Sequence, residues 1–404
     1  MSIQYPGGYI TKSPPAVVGP VDGEGGSAPG VWTLDQAMGY VKQGLWPKPP
    51  ILKQLWSWGR NQNGQLGLGN TTNISSPAQV GALTNWTKIA GGQTFAAAIK
   101  TDGTIWTWGL GSTGQLGLNN TTSYSSPKQI GSLTNWANVS AGSAHALAIK
   151  TDGTLWGWGE NGSGQLGLGN VTYYSSPKQI GALTTWSKIS CGSSFSAAIK
   201  TDGTLWTWGR NDDGQLGLGN ITNRSSPVQV GLLTTWSEIS CSNGFAAAIK
   251  TDGTLWMWGI GTLGRLGIGN TTSYSSPKQV GALTTWYEVS CGTNHTLATK
   301  TDKTLWSWGG NAQGQLGLGN TTNYSSPKQI GALTSWLNIA GGFYHTVASK
   351  TDNTLWAWGI NNFGQLGLGD ITNRSSPVQV GALTTWLRLP KMPLSFSTLA
   401  IKTP

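Results

Sequence analysis

From residue 51 onward the apolar residues fall in runs of four to six, and Gly, Asp, Asn, Ser or Pro closes each run. Runs of that length are too short for helices and read as buried strands. One unit shows the plan: Trp86–Gly91, then Phe95–Lys100, then Ile105–Gly109, then Ser125–Ile130 after a Gly-rich loop. The turn Thr101-Asp-Gly-Thr104 between the second and third runs favours a tight hairpin with a left-handed residue at Gly103. Asp352-Asn353 can meet the same demand, and Lys303 is the poorest fit to it.

This unit is 50 residues long and is written seven times. Trp-x-Trp begins at Trp56 and returns every 50 residues to Trp356, and a third tryptophan recurs from Trp86 to Trp386. The two series hold 21 of the 23 tryptophans. A period of this size marks units that bury their faces only against their neighbours. Four antiparallel strands in each of seven units predict an all-β, seven-bladed β-propeller. The chain enters the repeat at Gln54-Leu55-Trp56, just after the position of the hairpin turn, and leaves at Ala400-Ile401-Lys402, just before it. The last blade is therefore expected to close from both chain ends. Trp56 and Trp58, two apart on one strand, should share a face, and most of the tryptophans should be core.

Residues 1–50 lie outside the repeat and read as an extended Gly/Pro-rich arm. Thr33-x-x-Gln36 can cap a short helix, expected over about 33–43, with Leu34, Ala37, Met38 and Val41 on one face; Gly44 and Pro47 stop it. So short a helix needs a surface to dock on. Trp32, Leu34, Met38, Val41 and Trp46 are the expected docking residues. The division is thus an arm over 1–50 and a propeller over 51–404.

Composition narrows the possibilities. Charged residues make up only 10% and Gly reaches 60, which suits strands and tight turns and argues against disorder. The net charge of +10 invites an anionic partner, but no Lys/Arg run concentrates it, so nucleic-acid binding is not expected. No apolar stretch is long enough to span a bilayer, and the first residues lack the apolar core of a signal peptide, so the expectation is assembly in a cytoplasm. Cys191, Cys241 and Cys291 stand where other repeats have Gly or Ala, which reads as a small residue near a crowded axis. The histidines His145, His295 and His345 occupy a strand start that is Phe elsewhere, which reads as structural. No nucleophile–base pair, paired carboxylate, metal cluster or phosphate loop stands out, so no catalytic, metal or cofactor site is expected. Lys100 and Asp102, with their equivalents, read as solvated turn residues. Tyr124 and its equivalents read as packing over the Ser-Ser-Pro strand.

The run Trp58-Gly-Arg-Asn-Gln-Asn-Gly-Gln-Leu-Gly-Leu-Gly69 resembles the signature of the regulator-of-chromosome-condensation repeat family, as do Gly142-Ser-Ala-His145 and Gly342-Phe-Tyr-His345. The resemblance covers every repeat and implies that family's seven-bladed propeller. It implies activity less closely: one relative is a nucleotide exchange factor for a small GTPase, another inhibits a β-lactamase, and the shared theme is a rigid disc used for binding. Gly30–Ala37 with Gln43-Gly-Leu-Trp-Pro47 resembles a segment of structural proteins of marine tailed bacteriophages. It implies a non-enzymatic virion protein, anchored by its arm to capsid or tail and displaying the disc to a host surface glycan or protein. The alternative is a free-standing protein- or glycan-binding propeller.

Comparison of the repeats locates a binding face. The Thr-Asp-Gly-Thr turns and Gly-Ala-Leu-Thr linkers are nearly constant, whereas the loops at the other end of the blades vary. Loops on a rigid scaffold carry binding residues. Arg60, Asn61, Gln93, Glu160, Arg210, Asp212, Phe343, Tyr344, Phe363 and Lys391 are the candidates.

Overall fold

The computed structural model describes residues 52–390 and 395–404, together with Gln4, Tyr5, Gly8, Tyr9, Asp35, Met38 and Gly39. Two compact units result, Met1–Lys53 and Gln54–Lys402. In the first, Gln4–Tyr5 and Gly8–Tyr9 pair antiparallel, and Asp35, Met38 and Gly39 are helical, with Met38 half exposed. Trp32, Leu34, Val41 and Trp46 lie outside the described residues.

The second unit is a seven-bladed propeller of four-stranded antiparallel sheets. Blade 1 runs Trp86–Gly91, Phe95–Lys100, Ile105–Gly109 and Tyr124–Gln129, and blades 2 to 6 repeat this order. Blade 7 takes Trp386–Arg388 and Ser397–Lys402 from the end of the chain, then Gln54–Gly59 and Ile74–Gln79 from its beginning. The joining pair is in register from Gln54↔Lys402 to Gly59↔Ser397. Closure thus uses a strand pair with no connecting turn, and it leaves no blade with an unpaired third strand.

Neighbouring inner strands approach so closely that a serine of one caps the backbone of the next. Ser190 Oγ accepts from Cys241 N at 2.9 Å, and Ser240 Oγ from Cys291 N at 3.0 Å. The cysteines are buried and form no disulfide, and burial pushes the Cys191 thiol up to about 12. They are small residues at the axis.

Two of the three tryptophans in each blade are core. Trp108 and Trp86 are fully buried, while Trp106 is half-buried at the rim. Trp86 meets both others edge-on, at 6.3 Å between ring centroids. Such a pair adds about 1 kcal/mol beyond the area it buries. The indole of Trp108 donates to Gln65 O of the preceding blade at 2.9 Å, and that of Trp58 to Gln365 O at 3.0 Å, which continues the chain of bonds through the closure. Gly67 is required beneath that indole: a Cβ there would lie 2.8 Å from Trp108 Nε1, and its φ is +74°.

The hairpin turns correct one expectation. Asp102 Oδ1 accepts from Thr104 N and Oγ1, and Thr104 Oγ1 accepts from Trp106 Nε1, all within 2.9 Å. Lys100 is not solvated beside Asp102. It is buried, with its ammonium 3.6 Å from the Trp106 ring centroid. The indole face attracts the cation, and the aliphatic stem covers apolar surface. Lys303 and Asn353 both adopt the left-handed conformation that Gly103 takes, at φ 62° and 60°.

Candidate functional site

The varied loops are rigid because a buried asparagine organises most of them. Asn61 Oδ1 accepts from Leu66 N at 2.9 Å, and its Nδ2 donates to the carbonyls of Asn70 and Thr72 at 3.1 Å. Asn161, Asn211 and Asn311 repeat these bonds. Asn61 is fully buried, so it shapes the face from below. The two varied loops of each blade lie side by side. Arg60 N donates to Phe396 O at 3.2 Å, and Ile360 N to Tyr344 O at 2.9 Å.

On this scaffold one patch departs from the sevenfold pattern. Phe343 stacks on Phe396 with centroids 4.1 Å apart, and Tyr344 and Phe363 meet this pair edge-on at 4.5 and 5.7 Å. The Arg60 guanidinium lies over Phe363 at 5.4 Å and over Phe396 at 5.6 Å. All five are half-buried. They come from blade 6 and the closing blade, far apart in sequence, and Phe396 was not among the residues expected from sequence. The signal was available: the residue before each second strand is Thr94, Ala144, Ser194, Gly244, Asn294, Tyr344 and Phe396, so aromatics gather at the last two positions.

The patch continues to Asn294, which donates to Tyr344 Oη at 3.3 Å, and on to Arg265. Arg265 stands where the other repeats have Gln. Its guanidinium is nearly buried, donates to Thr262 O and Oγ1 and to Thr293 O, and forms no ion pair among the described residues. Burial brings it down to about 10, opposed by nearby Tyr344 and Asp213. The loop beside it holds Leu263 at φ 63°, a left-handed conformation unusual for a branched side chain.

The other expected residues are dispersed over the same end of the ring. Gln93 is half-buried and bonds through its backbone to Gly142 O at 3.3 Å. Glu160 lies 3.5 Å from Tyr173 Oη. Arg210 and Asp212 are exposed and pair with each other at 2.8 Å. Lys391 lies outside the described residues.

One arrangement superficially resembles a nucleophile beside a base. His145 Nε2 is 3.0 Å from Ser196 Oγ, with the same geometry at His295–Thr346 and His345–Thr398. Ser196 Oγ, however, donates to Gln165 O at 2.8 Å, so its proton is committed and His145 is the donor in the pair. Both residues have no exposed surface. Burial holds the three imidazoles down at about 3, which keeps them neutral. A hydroxyl without substrate access and a base without basicity have no use in acyl transfer. Among the described residues no three His, Cys, Asp or Glu gather as a metal cluster, and no helix is long and apolar enough to cross a membrane.

Comparisons with known proteins agree with this geometry. The family model described as RCC1-like domain matches residues 175–389. Regulator of chromosome condensation (RCC1) repeat models match 54–99 and 102–149, and again 86–115 and 136–165. No curated protein sequence matches the chain. Among solved structures, human WBSCR16 is 21% identical with a TM-score of 0.77, over 87% of this chain and 99% of that one. Yeast RCC1 (Prp20), solved bound to Kap60, is 17% identical with a TM-score of 0.77, over 87% of this chain and 89% of its own. These identities speak for the fold. With a family match across more than half of its length and the repeat in every blade of a closed ring, the chain belongs to the RCC1-like domain family.

Proposed function

We propose that the chain is a non-catalytic binding propeller whose contact surface for a protein partner is the varied face, centred on Arg60, Phe343, Tyr344, Phe363 and Phe396. The observation that carries this reading is the convergence of four aromatic rings and an arginine at a stretch of the face where the repeat is broken. Partly exposed aromatics and arginine on a rigid support are the composition of interface hot spots. Stacking fixes the rings before binding, so little side-chain entropy remains to be lost. The structurally similar Prp20p was studied for its binding to Gsp1p and histones, which is consistent with proteins as ligands of such discs.

The test is a photo-crosslinking amino acid placed at Phe396, and in a second preparation at Thr185 in a linker on the opposite face, in the cells that make the protein. Adducts from position 396 and not from 185 support the reading. Adducts from position 185 alone, or from neither, refute it.

A narrower version has residues 1–50 fastening the disc to a phage capsid or tail, while the same face meets a host surface glycan or protein. Its support is the likeness of residues 30–47 to phage structural proteins. Deletion of residues 1–50 that leaves particle incorporation intact would remove it.

A further inference from the structure

The constant end of the ring carries a groove between neighbouring blades. Leu218, Val230 and Leu233 of blade 3 and Trp236, Trp256 and Pro277 of blade 4 line one of about 390 Å³. Equivalent residues line grooves of about 400 and 430 Å³ at the next two junctions. Four features recur in this setting.

First, Lys250 lies in the groove wall with its ammonium 3.8 Å from the Trp256 centroid and 5.1 Å from that of Trp236, and it has no ion pair among the described residues. Second, the indole N–H of Trp236 is buried without an acceptor, whereas those of Trp256 and Trp258 are satisfied by Thr254 Oγ1 and Gln215 O. The same nitrogen is unpartnered at Trp86, Trp136, Trp186, Trp286, Trp336 and Trp386. An unmet buried donor is costly, and here it has no surface of its own for a ligand to touch. Third, the linker leucine is left exposed each time, by 45% at Leu83 to 50% at Leu333. Fourth, Gln229 and Ser276 add polar groups to an otherwise apolar lining.

A matching ligand must bring an anion to the ammonium, an apolar ring face to the leucine and tryptophan, and hydroxyls to the amide and serine. It must also repeat, since the sites repeat. We infer that the grooves are subsites for the uronate units of an acidic polysaccharide, with the carboxylate at Lys250 and the sugar C–H face on Trp256 and Leu233. Burial lowers the Lys250 ammonium, against the pull of Asp252, so an arriving carboxylate would offset that burial by stabilising the charged form. The net charge of +10 adds a long-range attraction of the same sign. These grooves lie at the other end of the blades from the aromatic patch, so the inference is independent of the protein-binding reading.

The experiment measures binding of the full chain to immobilised polygalacturonate and to its methyl ester, which keeps the sugar and removes the charge. The expected result is affinity for the acid at least about tenfold above that for the ester. The triple variant Lys250→Met, Lys300→Met, Lys350→Met keeps the stems over the rings and should lose about tenfold through reduced avidity, with an unchanged melting transition. If the variant does not fold, saturable quenching of the parent's tryptophan fluorescence by trigalacturonate, and not by its methyl ester, supports the assignment. Failure of trigalacturonate to quench, or equal binding to acid and ester, overturns it. Loss of binding on Arg60→Ala with none on the lysine triple would move the anion site to the varied face and also overturn it. Quenching by a peptide with a free C-terminal carboxylate but not by trigalacturonate would give the grooves to protein tails instead.

Discussion

The buried histidines make acid stability a direct test of the packing between blades. Each imidazole donates through Nε2 to a hydroxyl of the next blade, while its Nδ1 is buried without a partner. Protonation would place a cation and an unmet N–H in the core, which is why burial holds these groups at about 3 against 6.5 for a free imidazole. For a group whose folded value is depressed and whose charged form is the protonated one, the unfolded chain binds more protons between the two values. Stability is therefore complete above pH 6.5 and falls as the pH drops toward 3. At pH 4.5 the cost is about 2.7 kcal/mol per histidine, or about 8 for three acting independently, comparable to the whole stability of many domains. The turn aspartates shift downward from 3.8, so their contribution is lost only at lower pH and the window from 6.5 to 4.5 isolates the imidazoles. The chain supplies its own replacement, since Phe95 packs with Ala146 and Phe195 with Ala246 at the equivalent junctions. Installing that pair at all three sites (H145F/S196A, H295F/T346A, H345F/T398A) should abolish most of the difference between urea midpoints at pH 7.5 and 4.5. The 145/196 pair alone should remove about a third of it. The Gln165, Gln315 and Gln365 carbonyls keep their tryptophan donors in every variant. An undiminished acid loss in the sixfold variant would refute the reasoning.

Three further outcomes follow from particular contacts. Lys303→Gly should raise stability by about 1 kcal/mol, read as a higher melting temperature, because Lys303 holds a left-handed φ that glycine adopts freely. Gly217→Ala should cost about 1–3 kcal/mol, read in urea midpoints, since the new Cβ would fall 2.8 Å from Trp258 Nε1 at a φ of +72°. Phe396→Ala should weaken binding of a crosslinked protein partner by about 2 kcal/mol, or roughly 30-fold by calorimetry, and Arg60→Ala by less, while Arg210→Ala changes it little.

The propeller was legible in the sequence because its determinants are local and repeated. Asp102-Gly103 marks the hairpin, Trp56 to Trp58 marks the third strand, and the broken hairpin at the two ends marks the closure. What could not be read required knowing which way a side chain turns at a strand end. Trp106 and Trp108 do share a face, since both meet Trp86, yet only Trp108 reaches the core. Trp106 sits at the rim, and Lys100 folds over it, so a lysine that reads as solvent-facing is largely hidden. Asn61 shows the converse: a polar residue in a variable loop is buried because three neighbouring backbone groups need its amide.

The candidate site was legible only as a difference between copies. In a ring of near-identical blades, packing explains whatever recurs, so the residues free to serve a partner are those where one copy departs from the rest. Arg60, Phe343, Tyr344 and Phe363 stand out on that criterion, but their convergence with Phe396 follows from closure, which brings residues more than 300 positions apart to one edge. The rim grooves invert this logic. There the constant residues set a lysine ammonium with no ion pair among the described residues beside an exposed leucine, and recurrence of an unused charge, unlike recurrence of a packing contact, points to something outside the fold.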